Sequence, residues 1–288
     1  MNIQWYPGHM AKTKREIKEN LKLVDVVIEL LDARIPFSSR NPDLDEIISG
    51  KEKLVLLNKA DLANENATNE WIKYYKEKGI EALAIDAVSG RGLNKLYPKC
   101  REAAKEKIER LEKKGIIGKP IRAMVTGIPN VGKSSLINKL GGKSTAKTGD
   151  KPGVTRSKQW IKVNKDFELQ DTPGVLWPKF DDERVAQKLA FTRAIKDEIL
   201  DIEELAYFFV KYVQEANPSI LTNRYNVELN MEDPYETMIS IGRKRGCVVS
   251  GGGVDTIRVS NIILDEYRTG KLGRISLETP LSVQSIEQ

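Results

Sequence analysis

Histidine, cysteine and long apolar runs are what this chain has least of. It carries one histidine, His9, and two cysteines, Cys100 and Cys247, far apart and outside any C-x-x-C or Cys/His cluster. That spacing excludes a disulfide framework and a zinc site of the usual kinds, and both thiols are expected to be buried. No stretch of about 18 uninterrupted apolar residues occurs, so no membrane-spanning helix is predicted. Residues 1–10 lack the apolar core of a signal peptide, and a cytoplasmic protein without membrane association is expected.

What is present is an ordinary globular composition, 31% charged and 40% hydrophobic, with a net charge of +6 that leans toward an anionic partner. At 288 residues two domains are expected. Strand-like runs at Val24–Leu31, Lys53–Leu57, Ile80–Ile85 and Ile121–Thr126 alternate with helical patterns at Ala11–Leu23, Asn69–Lys78 and Leu93–Lys114. Shorter strands are expected at Gln159–Val163 and Phe167–Gln170. The fold class is therefore α/β: a mostly parallel sheet with helices on both faces over residues 1–178. From residue 179 to 288 helical patterns dominate (183–194, 202–216, 234–244 and 254–269), predicting a smaller all-helical domain.

Gly127-Ile-Pro-Asn-Val-Gly-Lys-Ser134 has the form G-x-x-x-x-G-K-[ST] of a phosphate-binding loop, set between an apolar strand and a helix as that motif requires. The two glycines let backbone N–H groups close on phosphate oxygens, Lys133 supplies charge to the outer phosphates, and the Ser134 hydroxyl suits magnesium. Asn130, Val131, Gly132, Lys133, Ser134 and Ser135 are the candidate phosphate contacts.

The base is read elsewhere. Asn58-Lys59-Ala60-Asp61 fits N-K-x-D: the Asp61 carboxylate can accept from the N1–H and 2-amino groups of guanine, and adenine offers neither donor. Asn58 is expected to support the other edge of the base and the Lys59 stem to cover its face. Asp171-Thr172-Pro173-Gly174 resembles D-x-x-G, with Asp171 holding magnesium through water and the Gly174 N–H meeting the γ-phosphate. Thr155, in a Gly/Pro-rich loop, is suited to close over the same ion. Asp86-Ala87-Val88 stands where a Ser-Ala-Lys motif would back the base, and Ala87 is expected to offer its backbone N–H. These residues point to GTP or GDP as ligand.

In ordinary GTPases the phosphate loop precedes N-K-x-D; here Asp61 comes before Gly127. The arrangement resembles the circularly permuted GTPases, and Tyr6-Pro7-Gly8-His9-Met10 with the helical C-terminal part narrows the resemblance to the YlqF/RbgA family, across essentially the whole chain. The resemblance implies a GTP-hydrolysing factor in late maturation of the large (50S) ribosomal subunit, binding ribosomal RNA and pre-ribosomal particles, with hydrolysis coupled to release. A rival reading is an RNA-binding placeholder in which GTP is structural. A signalling switch is disfavoured by the basic balance.

Three further expectations follow. Ras-type enzymes orient the attacking water with a Gln after D-x-x-G, but Val175 stands there, and with the family resemblance His9 becomes the candidate catalytic group. Related cation-dependent GTPases ligate potassium through an Asn placed like Asn130; turn geometry would equally explain that residue. Arg243-Lys244-Arg245, extended by Arg258, Arg268, Lys271 and Arg274, is a candidate RNA-backbone contact, although basic residues at a helix C-terminus also complement its dipole.

Overall fold

The computed structural model describes residues 10–142, 160–177 and 182–283. They fall into two compact units, one of residues 10–177 together with 276–283 and one of residues 182–275.

The first unit is built on six strands: β1 Val26–Asp32, β2 Glu52–Asn58, β3 Glu81–Ala84, β4 Ile121–Thr126, β5 Trp160–Asn164 and β6 Phe167–Asp171. Their order is β3-β2-β1-β4-β6-β5, parallel except for β5, which pairs antiparallel with β6. Each half of the chain thus builds outward from the centre, and β1 and β4 meet there in parallel. Moving the chain start from β4 to β1 leaves this sheet unchanged, which is how a permuted sequence keeps a GTPase fold. All seven residues of β1 are buried, as in a strand covered on both faces.

Helices α1 Met10–Asn20 and α2 Pro42–Ile48 pack one cluster, in which Ile17, Leu21, Leu44 and Ile48 meet Val27, Met124 and Val175. Helix α3 Glu65–Glu77 packs a second, with Trp71 and Tyr75 against Leu31, Val55 and Leu57. The stretch predicted as one helix over 93–114 is a 3₁₀ turn followed by α4 Leu96–Ala103 and α5 Lys105–Glu112, broken at Ala104. Helix α6 Lys133–Gly141 follows the phosphate loop.

The second unit contains α7 Glu183–Phe191, α8 Ile202–Ala216, α9 Ser219–Tyr225, α10 Pro234–Lys244 and α11 Thr256–Arg268. Asp182, Asp201, Asp233 and Asp255 accept backbone N–H bonds at the starts of α7, α8, α10 and α11, as capping carboxylates do. Phe209 stacks between Phe191 (5.3 Å) and Tyr267 (4.7 Å) at the centre. Among its described residues the only β pairing is an isolated bridge between Val248 and Val254. One boundary differs from expectation. The second unit ends at Ile275, and Ser276 onward, including α12 Pro280–Val283, belongs to the first unit because Val283 is buried in the Trp71 and Tyr75 cluster.

Candidate nucleotide site

Asp32, Asn58, Thr126 and Asp171 end β1, β2, β4 and β6, so the candidate residues gather at the carboxyl edge of the sheet, beside the central switch in strand order. Gly127 follows β4 directly with φ 150°; a Cβ there would stand 2.5 Å from the Leu30 carbonyl oxygen. Gly132 has φ 105°, and its Cβ would fall 2.3 Å from Asn58 Nδ2. Neither position admits a side chain, and the second is closed by the base motif itself. Helix α6 begins at Lys133 and presents its first backbone N–H groups at the loop, the pole where anions bind.

The base motif and the phosphate loop are joined through two side chains. Asn58 Nδ2 donates to the Val131 carbonyl (2.8 Å), and Asn58 Oδ1 accepts from the Ala87 N–H (3.0 Å). Asn58 is therefore a brace between three loops. These bonds take one of the two Nδ2 hydrogens and one Oδ1 lone pair of Asn58, so its other amide hydrogen is left over for the edge of a base. Lys59 Nζ donates to the Asn130 carbonyl (2.9 Å) and pairs with Asp32 Oδ2 (3.0 Å). Lys59 and Asn130 are both left-handed, with φ 59° and 56°, a conformation that costs a non-glycine residue energy and marks a tightly specified site. Asp61 is exposed two residues further on.

Sequence reasoning missed what holds Lys59. Asp32 and Arg34 are both buried, and the Arg34 guanidinium is bidentate on Asp32, Nε to Oδ1 at 2.9 Å and Nη2 to Oδ2 at 2.8 Å. Burial works against the charge of Asp32, but Arg34 and Lys59 outweigh it and hold the carboxyl well below the usual range. Charged residues directly after an apolar strand were the available signal. Asp86 shapes its own turn, accepting from the Val88 N–H (2.9 Å) and Ser89 N–H (3.3 Å). Its modest burial is outweighed first by the Ser89 side chain and then by those N–H bonds, and its carboxyl sits below the usual value.

Lys133 is 7% exposed, its Nζ donating to the carbonyls of Ile128 (2.8 Å) and Gly127 (3.2 Å). Burial brings its ammonium down to about 8, partly offset by the charge of Asp171. A cation so desolvated gains most from an anionic phosphate. Asp171 and Ser134 are half-buried at the end of β6 and the start of α6. No group of three or more Asp, Glu, His or Cys side chains suited to a metal exists among the described residues. One carboxylate and one hydroxyl are a donor set that fits magnesium, which keeps several waters and takes phosphate oxygens rather than an all-protein cage.

The D-x-x-G segment lies on the phosphate loop. Thr172 Oγ1 donates to the Val125 carbonyl (2.7 Å), and the Val175 N–H to the Gly127 carbonyl (3.3 Å). A Cβ on Gly174 would meet Pro129 Cα at 2.8 Å and Lys133 Nζ at 3.0 Å. Val175 is 1% exposed in the Ile17, Val27 and Met124 cluster. The side chain in the place of the Ras-type Gln is thus in the core. His9 and Thr155 lie outside the described residues.

In the second unit Arg243 and Lys244 are exposed at the C-terminal end of α10. Arg245 is exposed as well, and it shares the buried Glu266 with Arg224, whose Nε and Nη2 each donate at 2.8 Å. Arg268 is likewise held by Asp197 (2.8 Å from both Nη atoms) and the carbonyls of Phe191 and Ala190. These two arginines stitch helices together, Arg268 with its side chain 9% exposed and Arg245 while still facing solvent at 38%.

Residues 122–237 match the family model described as 50S ribosome-binding GTPase, so the base motif lies ahead of the matched stretch. Ribosome biogenesis GTPase A of Bacillus cereus is 52% identical over 97% of this chain and 95% of its own length. The protein of the same name from Thermotoga maritima is 32% identical over 99% and 98%. A solved structure of GNP-bound YlqF from T. maritima is 29% identical, covers 93% of this chain and 98% of its own, and superimposes with a TM-score of 0.63.

Proposed function

This chain belongs to the ribosome biogenesis GTPase A family and is a GTPase of ribosome biogenesis, and from that premise we propose that it acts on late precursors of the large ribosomal subunit in the cytoplasm, with GTP hydrolysis coupled to its release. The observation that carries the nucleotide assignment is the Asn58 brace, which fixes the guanine motif to the phosphate loop through Val131.

In this reading Asp61 accepts from the guanine edge, and the start of α6 with Lys133 receives the phosphates. Ser134, Thr155 and, through water, Asp171 would hold Mg²⁺, which neutralises charge building on the β- and γ-phosphate oxygens. Asn130 is the residue for a potassium ion; comparing turnover in potassium and sodium buffers tests that role. With Val175 buried, no side chain at its position orients water. His9 is proposed to do so on the particle, so His9→Ala should bind GTP normally and lose particle-stimulated hydrolysis. Arg243 and Lys244 would contact RNA phosphates, with affinity that falls as salt rises.

Co-sedimentation with large subunits in GTP, GDP and no nucleotide tests the proposal. Retention with GTP and release with GDP supports it, and nucleotide-independent retention contradicts it.

A further inference from the structure

On leaving the second unit at Ile275 the chain returns to the first and is held there by a dense set of bonds. Ser276 Oγ accepts the Asn64 N–H (3.0 Å), the Leu277 N–H donates to the Arg34 carbonyl (2.8 Å), and the Glu278 carbonyl accepts Trp71 Nε1–H (3.2 Å). Glu278 is 2% exposed. Burying a carboxylate is costly unless its oxygens are hydrogen bonded. Here Oε2 accepts from the N–H groups of Phe37 (2.8 Å) and Ser38 (3.1 Å), while Oε1 accepts from the Ser38 hydroxyl. Glu278 therefore grips one turn of the loop 33–41.

That loop touches both halves of the nucleotide site. At its start Arg34 clamps Asp32, Asp32 pairs with Lys59, and Lys59 holds the Asn130 carbonyl of the phosphate loop. At its end Asn41 Nδ2 donates to the carbonyl of Val175, directly after Gly174 (2.9 Å). In between, Ser39 Oγ accepts the Asp32 N–H (3.1 Å). We propose that Glu278, with the Leu277 N–H, is a positioning residue for guanine-nucleotide binding: by gripping Phe37 and Ser38 it keeps Asp32 set to hold Lys59 on the phosphate loop. The chain segment continuous with the second unit thereby sets the affinity of the nucleotide site. This rests on reading Asn58–Asp61 as the base motif.

The test is the Kd of the full chain for N-methylanthraniloyl-GDP, alongside Tm. Glu278→Ala should weaken binding about tenfold or more, the usual scale of coupling between linked sites. Glu278→Gln can accept the two N–H groups through its amide oxygen and donate to Ser38 Oγ, so it should restore affinity to within about threefold. Val283→Ala loosens the same segment on its apolar side only; it should lower Tm with Kd unchanged. In a Lys59→Ala background Glu278→Ala should cost no further affinity. Should Glu278→Ala fail to fold, Ser38→Ala removes one donor to the same carboxylate and should weaken binding in the same direction. Wild-type affinity in Glu278→Ala, or in Ser38→Ala if that variant stands in, overturns the inference. So does a loss that merely tracks Tm across the Glu278 and Val283 variants. Asp61→Asn separates the two levels: if it keeps GDP affinity the base reading fails, and if it loses affinity while Glu278→Ala keeps it, only the positioning role falls.

Discussion

Replacing Gly132 by alanine tests the join between guanine motif and phosphate loop without altering any polar group. The new Cβ would stand 2.3 Å from Asn58 Nδ2, so Asn58 must swing away and give up its bonds to Val131 (2.8 Å) and Ala87 (3.0 Å). Two such bonds are worth about 2 kcal/mol together. Holding a non-glycine residue at φ 105° adds about 1–2 kcal/mol. If both fall on the bound state, GDP affinity drops by several hundredfold, about 3–4 kcal/mol. Equilibrium titration with N-methylanthraniloyl-GDP reads this directly. Asn58→Ala loses the same two bonds and relieves the clash, so adding Gly132→Ala to it should cost only the backbone part, about tenfold. A Gly132→Ala affinity within threefold of wild type, or fully additive effects of the two substitutions, would refute the reasoning.

Nucleotide affinity should fall as pH rises above about 8, because Lys133 loses its proton there and phosphate binds the cation. The sign for the unliganded fold is opposite: the unfolded chain keeps that proton up to the ordinary lysine range, so this group adds stability as pH rises from about 8 toward that range. Affinity that is flat between pH 7 and 9.5 would contradict the assignment. Val175→Gln should not create a Ras-like enzyme; its amide would enter an apolar cluster, costing about 2–4 kcal/mol and lowering Tm with no gain in turnover. Arg245→Ala should lower Tm by loosening the Glu266 cluster, whereas Arg243→Ala and Lys244→Ala should leave Tm in place and weaken RNA binding. Filter binding to ribosomal RNA with thermal melts separates the two classes.

The elements legible in the sequence were those whose chemistry demands fixed residue types close together. Gly127–Ser134 and Asn58–Asp61 are contiguous, and β4 and helices α8 and α10 lie where their apolar patterns predicted. What was hidden depends on partners distant in sequence. Nothing local to Asn58 says that its amide bonds Val131 and Ala87, or that Arg245 pairs with Glu266. The break at Ala104 interrupts a charge-rich pattern that reads as one helix. Helix α2 carries Pro42, which reads locally as a breaker, yet with Asn41 as cap and Pro42 at the first helical position it has an ordinary helix start. The return of Ser276–Val283 to the first unit is set by Glu278 and Val283 meeting residues some 200 positions earlier, and no periodicity encodes that.

The central claim, a guanine-nucleotide hydrolase that works on the large ribosomal subunit, is tested most directly by multiple-turnover GTP hydrolysis with and without purified large subunits. Slow turnover alone and marked stimulation by subunits, abolished in His9→Ala, is the expected result. Equal rates with and without subunits would contradict it.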